Sequence, residues 1–327
     1  MLCLVSGVAA DNDTEQSFRI GGLLFGDLYH VARHHTDAGE GATGFVLRRG
    51  YLTFDSDFNS NWLGRARLEL NQSGKFETYT YKAQFKDLYV GRNIGAHRIL
   101  FGLSPTPTFD LIESVWGMRH LARTPMDLQG IASRDTGISA KGPLNAAGSL
   151  SYRAMVGAGL EFGNESGDGR KQMAALTWRP SEPWMIDLYV DFEKLSGPVD
   201  RTTAQFFIGY RTDALRWGIQ YSNQDRQQDP RLELASAFVV RRIRPGTSLV
   251  GRIDRIMEPS PSGDNISYLP FDPTARATMF IGGLDFQTAK HFRVTPNMVI
   301  TKYEQNSQGV TPRTDVHARL TLFFDFE

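Results

Sequence analysis

A single cysteine, Cys3, stands in the 327 residues, so neither a disulfide framework nor a thiolate metal site holds this chain together. No apolar run approaches the about eighteen residues that a membrane-crossing helix requires, and mean hydropathy is -0.32. That excludes helical spanning but not spanning by strands, which carry their membrane signal in alternation. Net charge is missing too: 36 Lys and Arg balance 36 Asp and Glu, which argues against a nucleic-acid partner.

Catalytic signatures are equally scarce. No G-x-S-x-G elbow, H-E-x-x-H pair, P-loop or dinucleotide fingerprint occurs, so no enzyme and no cofactor is expected. The glycine-rich acidic stretch 159–169, with Asn164, Glu165 and Asp168, matches no EF-hand spacing and reads as a solvated loop. His34 and His35 are adjacent, and neighbours on a strand face opposite ways, so no metal site is expected there either.

What the chain does have is period two. Its last residues, 317–327 (HARLTLFFDFE), put Leu320, Leu322, Phe324 and Phe326 on one parity and Arg319, Thr321 and Asp325 on the other. The same alternation sets Ile186, Leu188, Val190 and Phe192 against Asp187, Tyr189, Asp191 and Glu193. Sixteen segments have this character, near 17–33, 44–57, 62–71, 79–91, 96–104, 134–143, 148–159, 170–180, 184–194, 203–212, 214–224, 232–242, 247–257, 275–287, 290–303 and 313–326.

Their connections alternate in length. Tight turns at 59–61, 93–95, 144–146, 181–183, 212–213, 244–246 and 289 separate longer stretches at 34–43, 72–78, 105–133, 160–169, 195–202, 225–231, 258–274 and 304–312. An even strand count with short turns on one rim and long loops on the other predicts an all-β, transmembrane antiparallel barrel of about sixteen strands. Both termini then fall on the short-turn side and the long loops face outward. Trp62, Tyr79, Tyr81, Trp178, Trp184, Tyr210, Tyr221 and Phe324, mostly near strand ends, fit the aromatic girdles at the membrane interfaces.

Residues 1–10 (MLCLVSGVAA) read as a residual signal peptide, with cleavage after small residues and a mature start near Asp11. Residues 11–327 then form one barrel. Its longest connection, about 105–133, carries Phe109, Leu111, Ile112, Val115, Trp116, Met118, Leu121 and Leu128, too apolar for solvent, and is expected to fold inward and narrow a channel that sixteen strands would otherwise leave wide.

The water-facing parity is read as basic: Arg49, Arg65, Arg67, Lys82, Lys86, Arg98, Arg153, Lys171, Arg179, Arg211, Arg216, Arg241, Arg252, Arg293 and Arg319. Against them stand Glu69, Asp187, Asp191, Glu193, Glu233, Asp254, Asp285 and Asp325. Arginine keeps its charge at any working pH and can pass an anion from fork to fork. The long loop adds Arg119, His120 and Arg123, with Arg134 just beyond, as candidates for the constriction. Two plainer roles stand beside this one: arginines that only cross-brace the wall, and Arg119 and Arg123 on one face of a short helix, docking the loop to Asp127 or Glu113.

The stretches 18–27 (FRIGGLLFGD), 48–54 (RRGYLTF), 101–105 (FGLSP) and 133–138 (SRDTGI) resemble the phosphate-selective porin superfamily of Gram-negative outer membranes. The resemblance implies a homotrimer of sixteen-strand barrels, set in a bilayer with lipopolysaccharide and passing small anionic or polar solutes past pore-lining arginines. The sequence departs from that family's phosphate site, which bears lysine, because 105–133 contains none. Two other classes are distinguishable: a barrel-borne lipid enzyme would release fatty acids, and a structural or adhesion barrel would not conduct.

Overall fold

The computed structural model describes residues 16–72, 81–131, 133–159, 170–260 and 263–326. The signal-peptide stretch 1–10, Tyr79, the stretch bearing Asn164, Glu165 and Asp168, and Glu327 lie outside the described residues.

Sixteen strands run antiparallel in chain order: β1 (Ser17–Arg33), β2 (Thr43–Asp57), β3 (Trp62–Gln72), β4 (Tyr81–Ile94), β5 (His97–Pro105), β6 (Arg134–Pro143), β7 (Leu150–Gly157), β8 (Arg170–Trp178), β9 (Trp184–Lys194), β10 (Arg201–Arg211), β11 (Leu215–Asp225), β12 (Leu232–Arg244), β13 (Thr247–Ile256), β14 (Ala277–Ala289), β15 (Phe292–Tyr303) and β16 (Asp315–Phe326). β1 pairs with both β2 and β16, so the sheet closes and has no edge. Closure is what makes a sheet stable in hydrocarbon, since every ladder N–H and C=O finds a partner. No strand end departs by more than three residues from the alternation reading.

The outer face is apolar. Along β9, Leu188 is 51% and Val190 56% exposed, while Asp187, Tyr189 and Asp191 between them are buried inside. A continuous belt of this kind would be unfavourable against water by about 25 cal/mol for each Å² and is at home against lipid. No helix among the described residues is long and apolar enough to cross a membrane. At the short-turn rim, Trp184 meets Tyr210 and Trp217 with ring centroids at 5.2 and 5.4 Å, an outward aromatic cluster of the interfacial kind.

Inside, the connection between β5 and β6 forms two short helices, α1 (Asp110–Trp116) and α2 (Pro125–Leu128). α1 packs on β10, β11 and β12, burying Ile112, Val115 and Trp116 against Phe207, Phe238 and Val240. Gly117 ends the helix in the left-handed region at φ 59°, a conformation that suits glycine. Arg119 and Arg123 follow in the non-helical stretch before α2, so they do not share a helix face.

The connection 258–274 joins 105–133 inside the barrel: Ile266, Leu269 and Phe271 are buried with Phe109, Met126 and Leu128 of the first loop, as their apolar side chains require. Two readings from the sequence are corrected. Arg241 and Glu233 lie on the lipid-facing parity, opposite Leu215 and Asn223 in the register. β12 is apolar on both faces because its inner side packs against α1, so hydrophobicity does not reveal which parity is inside. Finally, His34 and His35 stack rather than diverge, because β1 ends at Arg33.

Candidate functional site in the barrel lumen

The lumen site begins with a bulge. β1 and β2 slip register between Phe25 and Gly26, so that Phe25 faces Arg49 and Gly26 faces Leu47, leaving Arg48 as the extra residue. Two successive arginines thereby turn inward, which strict alternation forbids. The Arg48 guanidinium grips Asp27, with Nε 2.8 Å and Nη2 3.1 Å from its carboxylate, and also donates to the carbonyl oxygens of His120 and, at 3.3 Å, Leu121.

A pattern of two bases to one carboxylate repeats along this wall. Asp27 faces Arg48 at 2.8 Å and Arg319 at 3.9 Å. Glu69 faces Arg49 at 3.0 Å and Lys86 at 3.5 Å. Asp87 faces Arg134 at 2.5 Å and Arg67 at 3.2 Å. Each of these three groups keeps one formal positive charge.

The inward loop brings a fourth carboxylate, Asp127, reached by Arg119 at 3.5 Å and Arg123 at 3.8 Å; Arg119 also lies 3.4 Å from Glu113. Burial alone would raise the Asp127 pKa, but Arg119, Arg123, Lys86 and Arg49 together hold it below the ordinary carboxylate range. Tyr268, from the second inward connection, sets its hydroxyl 3.0 Å from the Arg48 carbonyl and 2.8 Å from that of Gln72. Burial pushes that phenol up to about 12, so it remains a neutral donor.

The opposite wall reverses the ratio. Lys171 stands between Asp191 at 3.2 Å and Glu193 at 3.4 Å, and Tyr189 donates to Asp191 at 2.5 Å. A basic wall near β1–β4 facing an acidic group on β8 and β9 sets up a field across the barrel, strong where water is excluded.

The remaining candidates are distributed. Arg65 pairs with Asp55 at 2.6 Å, Arg153 with Asp187 at 2.8 Å, Arg252 with Asp254 at 2.5 Å and Arg293 with Asp285 at 2.6 Å. Arg252 also donates to the Arg123 carbonyl at 2.5 Å, and Arg319 to that of Leu121 at 3.2 Å, so wall arginines fasten the loop in place. His120 lies 3.5 Å from Asp285 and packs its ring on Phe323 at 4.9 Å. Arg98 donates to Asn93 at 2.9 Å, and Lys82 is exposed opposite Asn71, far along β4 from Arg98's turn. Arg216 lies against Gly117 and lines, with Arg211, Arg242, Arg244 and Arg293, a cavity of about 540 Å³ inside the short-turn rim.

Asp27, Arg48, Asp87 and Tyr268 escaped the sequence reading. Asp27 occupies the polar parity of a recognisable strand, so its signal was present; Asp87 lies at a second bulge, where β3 and β4 slip between Arg67 and Leu68, and Arg48 and Tyr268 likewise depend on a bulge and a loop path that no periodicity encodes.

No family model and no curated protein sequence matches this chain. Solved structures do. An anion-selective porin from Comamonas acidovorans superposes with a TM-score of 0.67 at 12% identity, over 95% of this chain and 100% of that one. The fold is that of the outer-membrane porins. The outer-membrane channel DcaP of Acinetobacter baumannii gives 0.64 at 11% identity, over 95% and 97% of the two chains. The trimer form of OmpT, an outer membrane protein of Vibrio cholerae, gives 0.60 at 11% identity, over 96% and 100%.

Proposed function

We propose that this chain is a porin of the Gram-negative outer membrane, a water-filled channel for passive diffusion of small hydrophilic solutes with a preference for anions. The observation that carries the preference is the doubling of bases on Asp27, Glu69 and Asp87. Each carboxylate keeps its neighbours ordered, while the surplus charge lowers the cost of bringing a partly dehydrated anion past the loop. Arg119, His120 and Arg123 bound the narrow part, and the wall arginines lead to it. The fold shared with an anion-selective porin agrees with this reading.

The preferred solutes are small oxyanions of the phosphate kind, recognised by planar guanidinium forks. The lipid partners are the bilayer and lipopolysaccharide around the apolar belt. A homotrimer fits one flat patch: Ala140, Ala154 and Ala174 lie side by side on the outer face of β6, β7 and β8. Cross-linking in mild detergent tests the trimer. Step conductance in a planar bilayer tests the channel; an insertion-competent protein with no steps would make it a closed, structural barrel.

A further inference from the structure

One cluster of titratable groups plays no part in the lumen groups. It lies at the rim of the long connections, where β1 ends and β16 begins. The pairing of β1 with β16 slips between Val31 and Arg33, and beyond it the His34 and His35 rings stack at 4.2 Å and 27°. Asp315, the first residue of β16, places Oδ2 3.0 Å from His35 Nδ1, with the two side chains only 1% and 2% exposed. Ligand atoms of His34, His35 and Asp315 all lie within 4.8 Å of one another.

We propose that His34, His35 and Asp315 form a binding site for one divalent transition-metal ion of the zinc class. Two imidazoles and a carboxylate suit zinc, nickel or copper, whereas calcium and magnesium ask for oxygen alone. The 3.0 Å between His35 Nδ1 and Asp315 Oδ2 is close to the separation of two ligands around an ion with bonds of about 2.0–2.1 Å. An ion between them takes the place of the proton that His35 donates to Asp315. The ligating ring is neutral and carries its one proton on Nε2, beside Asp264; where His35 starts as imidazolium the second proton leaves to solvent, and the carboxylate stays ionised throughout.

The supporting shell is already in position. The His35 backbone N–H donates to Asp315 Oδ1 at 2.6 Å, and the Tyr303 hydroxyl donates to Asp315 Oδ2 while accepting from the Asp272 N–H at 3.1 Å. Thr36 fixes the His34 ring at Nδ1, its backbone N–H donating at 3.0 Å and its Oγ1 lying 2.9 Å away. Asp264 sits 3.9 Å from His35 Nε2 with its side chain exposed, adding negative charge on the solvent side. The ligands come from the first connection and the last strand, so the ion ties the two strands of the closing seam together at its long-connection end.

The full chain, refolded in detergent near neutral pH, is titrated with Zn²⁺ by calorimetry and with Co²⁺ by visible absorption. One ion per chain is expected, with the visible bands of nitrogen and oxygen ligation. Binding should weaken at least tenfold in His34→Gln and in His35→Gln, stay unchanged in His97→Gln at the opposite rim, and resist competition by Ca²⁺. Absence of saturable zinc uptake, equal uptake by His34→Gln and His35→Gln, or displacement by Ca²⁺ overturns the site. Heat-dependent gel mobility reports folding, and if His35→Gln does not fold, the His34→Gln titration decides.

Discussion

Arg48 meets Asp27 at 2.8 Å across two neighbouring strands, both side chains shut away from solvent, although Arg48 is the supernumerary residue of a bulge. The bulge converts one inward arginine into two, and Asp27 holds the extra one. Asp27→Ala leaves Arg48 and Arg319 facing each other without their carboxylate. Removing one partner of a buried pair costs about 3–5 kcal/mol. Urea unfolding in lipid vesicles, followed by tryptophan fluorescence, should show the lowered midpoint; an unchanged midpoint would mean that solvent reaches the pair.

The loop arginines carry charge into the lumen as well as docking it. Arg119→Ala with Arg123→Ala strips Asp127 of its two nearest cations, at 3.5 and 3.8 Å. The anion-to-cation permeability ratio is expected to fall severalfold, whereas Asp127→Asn should raise it. Arg65→Ala, which breaks a pair near the short-turn rim, should change the ratio least.

Gly117 has two reasons to be glycine. Its φ of 59° disfavours a side chain, and a Cβ there would stand 2.0 Å from Arg216 Nη1. Gly117→Ala should destabilise the loop by roughly 1–3 kcal/mol through the backbone conformation alone. Adding Arg216→Ala should recover only the steric part. A double-mutant cycle on thermal unfolding separates the two; full recovery would show that the backbone conformation costs nothing.

The closing strand ends on Phe326, which lies 6.2 Å from Phe324 and covers Gly22 of β1, where an added Cβ would come within 2.6 Å of its ring. Phe326→Ala is expected to slow barrel assembly, visible as an excess of the heat-unmodified form on gels. Deleting Glu327 should leave assembly intact, and equal damage from both changes would place the signal in chain length rather than in the ring.

Strand number, order and boundaries were legible because lipid on one side and water on the other impose period two on every strand. Leu320, Leu322, Phe324 and Phe326 display it cleanly, and the pairing of β16 with β1 explains why. Parity failed where the inside is itself apolar: β12 packs on α1, so Arg241 and Glu233 could not be assigned from their neighbours. Arg48 was hidden by a bulge, and the stacking of His34 and His35 by their lying beyond the end of β1, where strand alternation no longer applies. The partners of Arg119 and Arg123, Glu113 and Asp127, were legible because they are close in sequence, whereas Arg134 and Asp87, 47 positions apart, could not be paired from the sequence.

The central claim is that the lumen keeps a surplus of fixed positive charge. A planar bilayer holding the reconstituted protein, bathed in a roughly tenfold KCl gradient, gives the reversal potential that tests it. The expected sign is that of chloride permeation, with a magnitude that shrinks as mean salt rises and the Debye length falls from about 10 Å at 0.1 M to about 3 Å at 1 M. A reversal potential of the potassium sign, or of zero at low salt, would contradict the account.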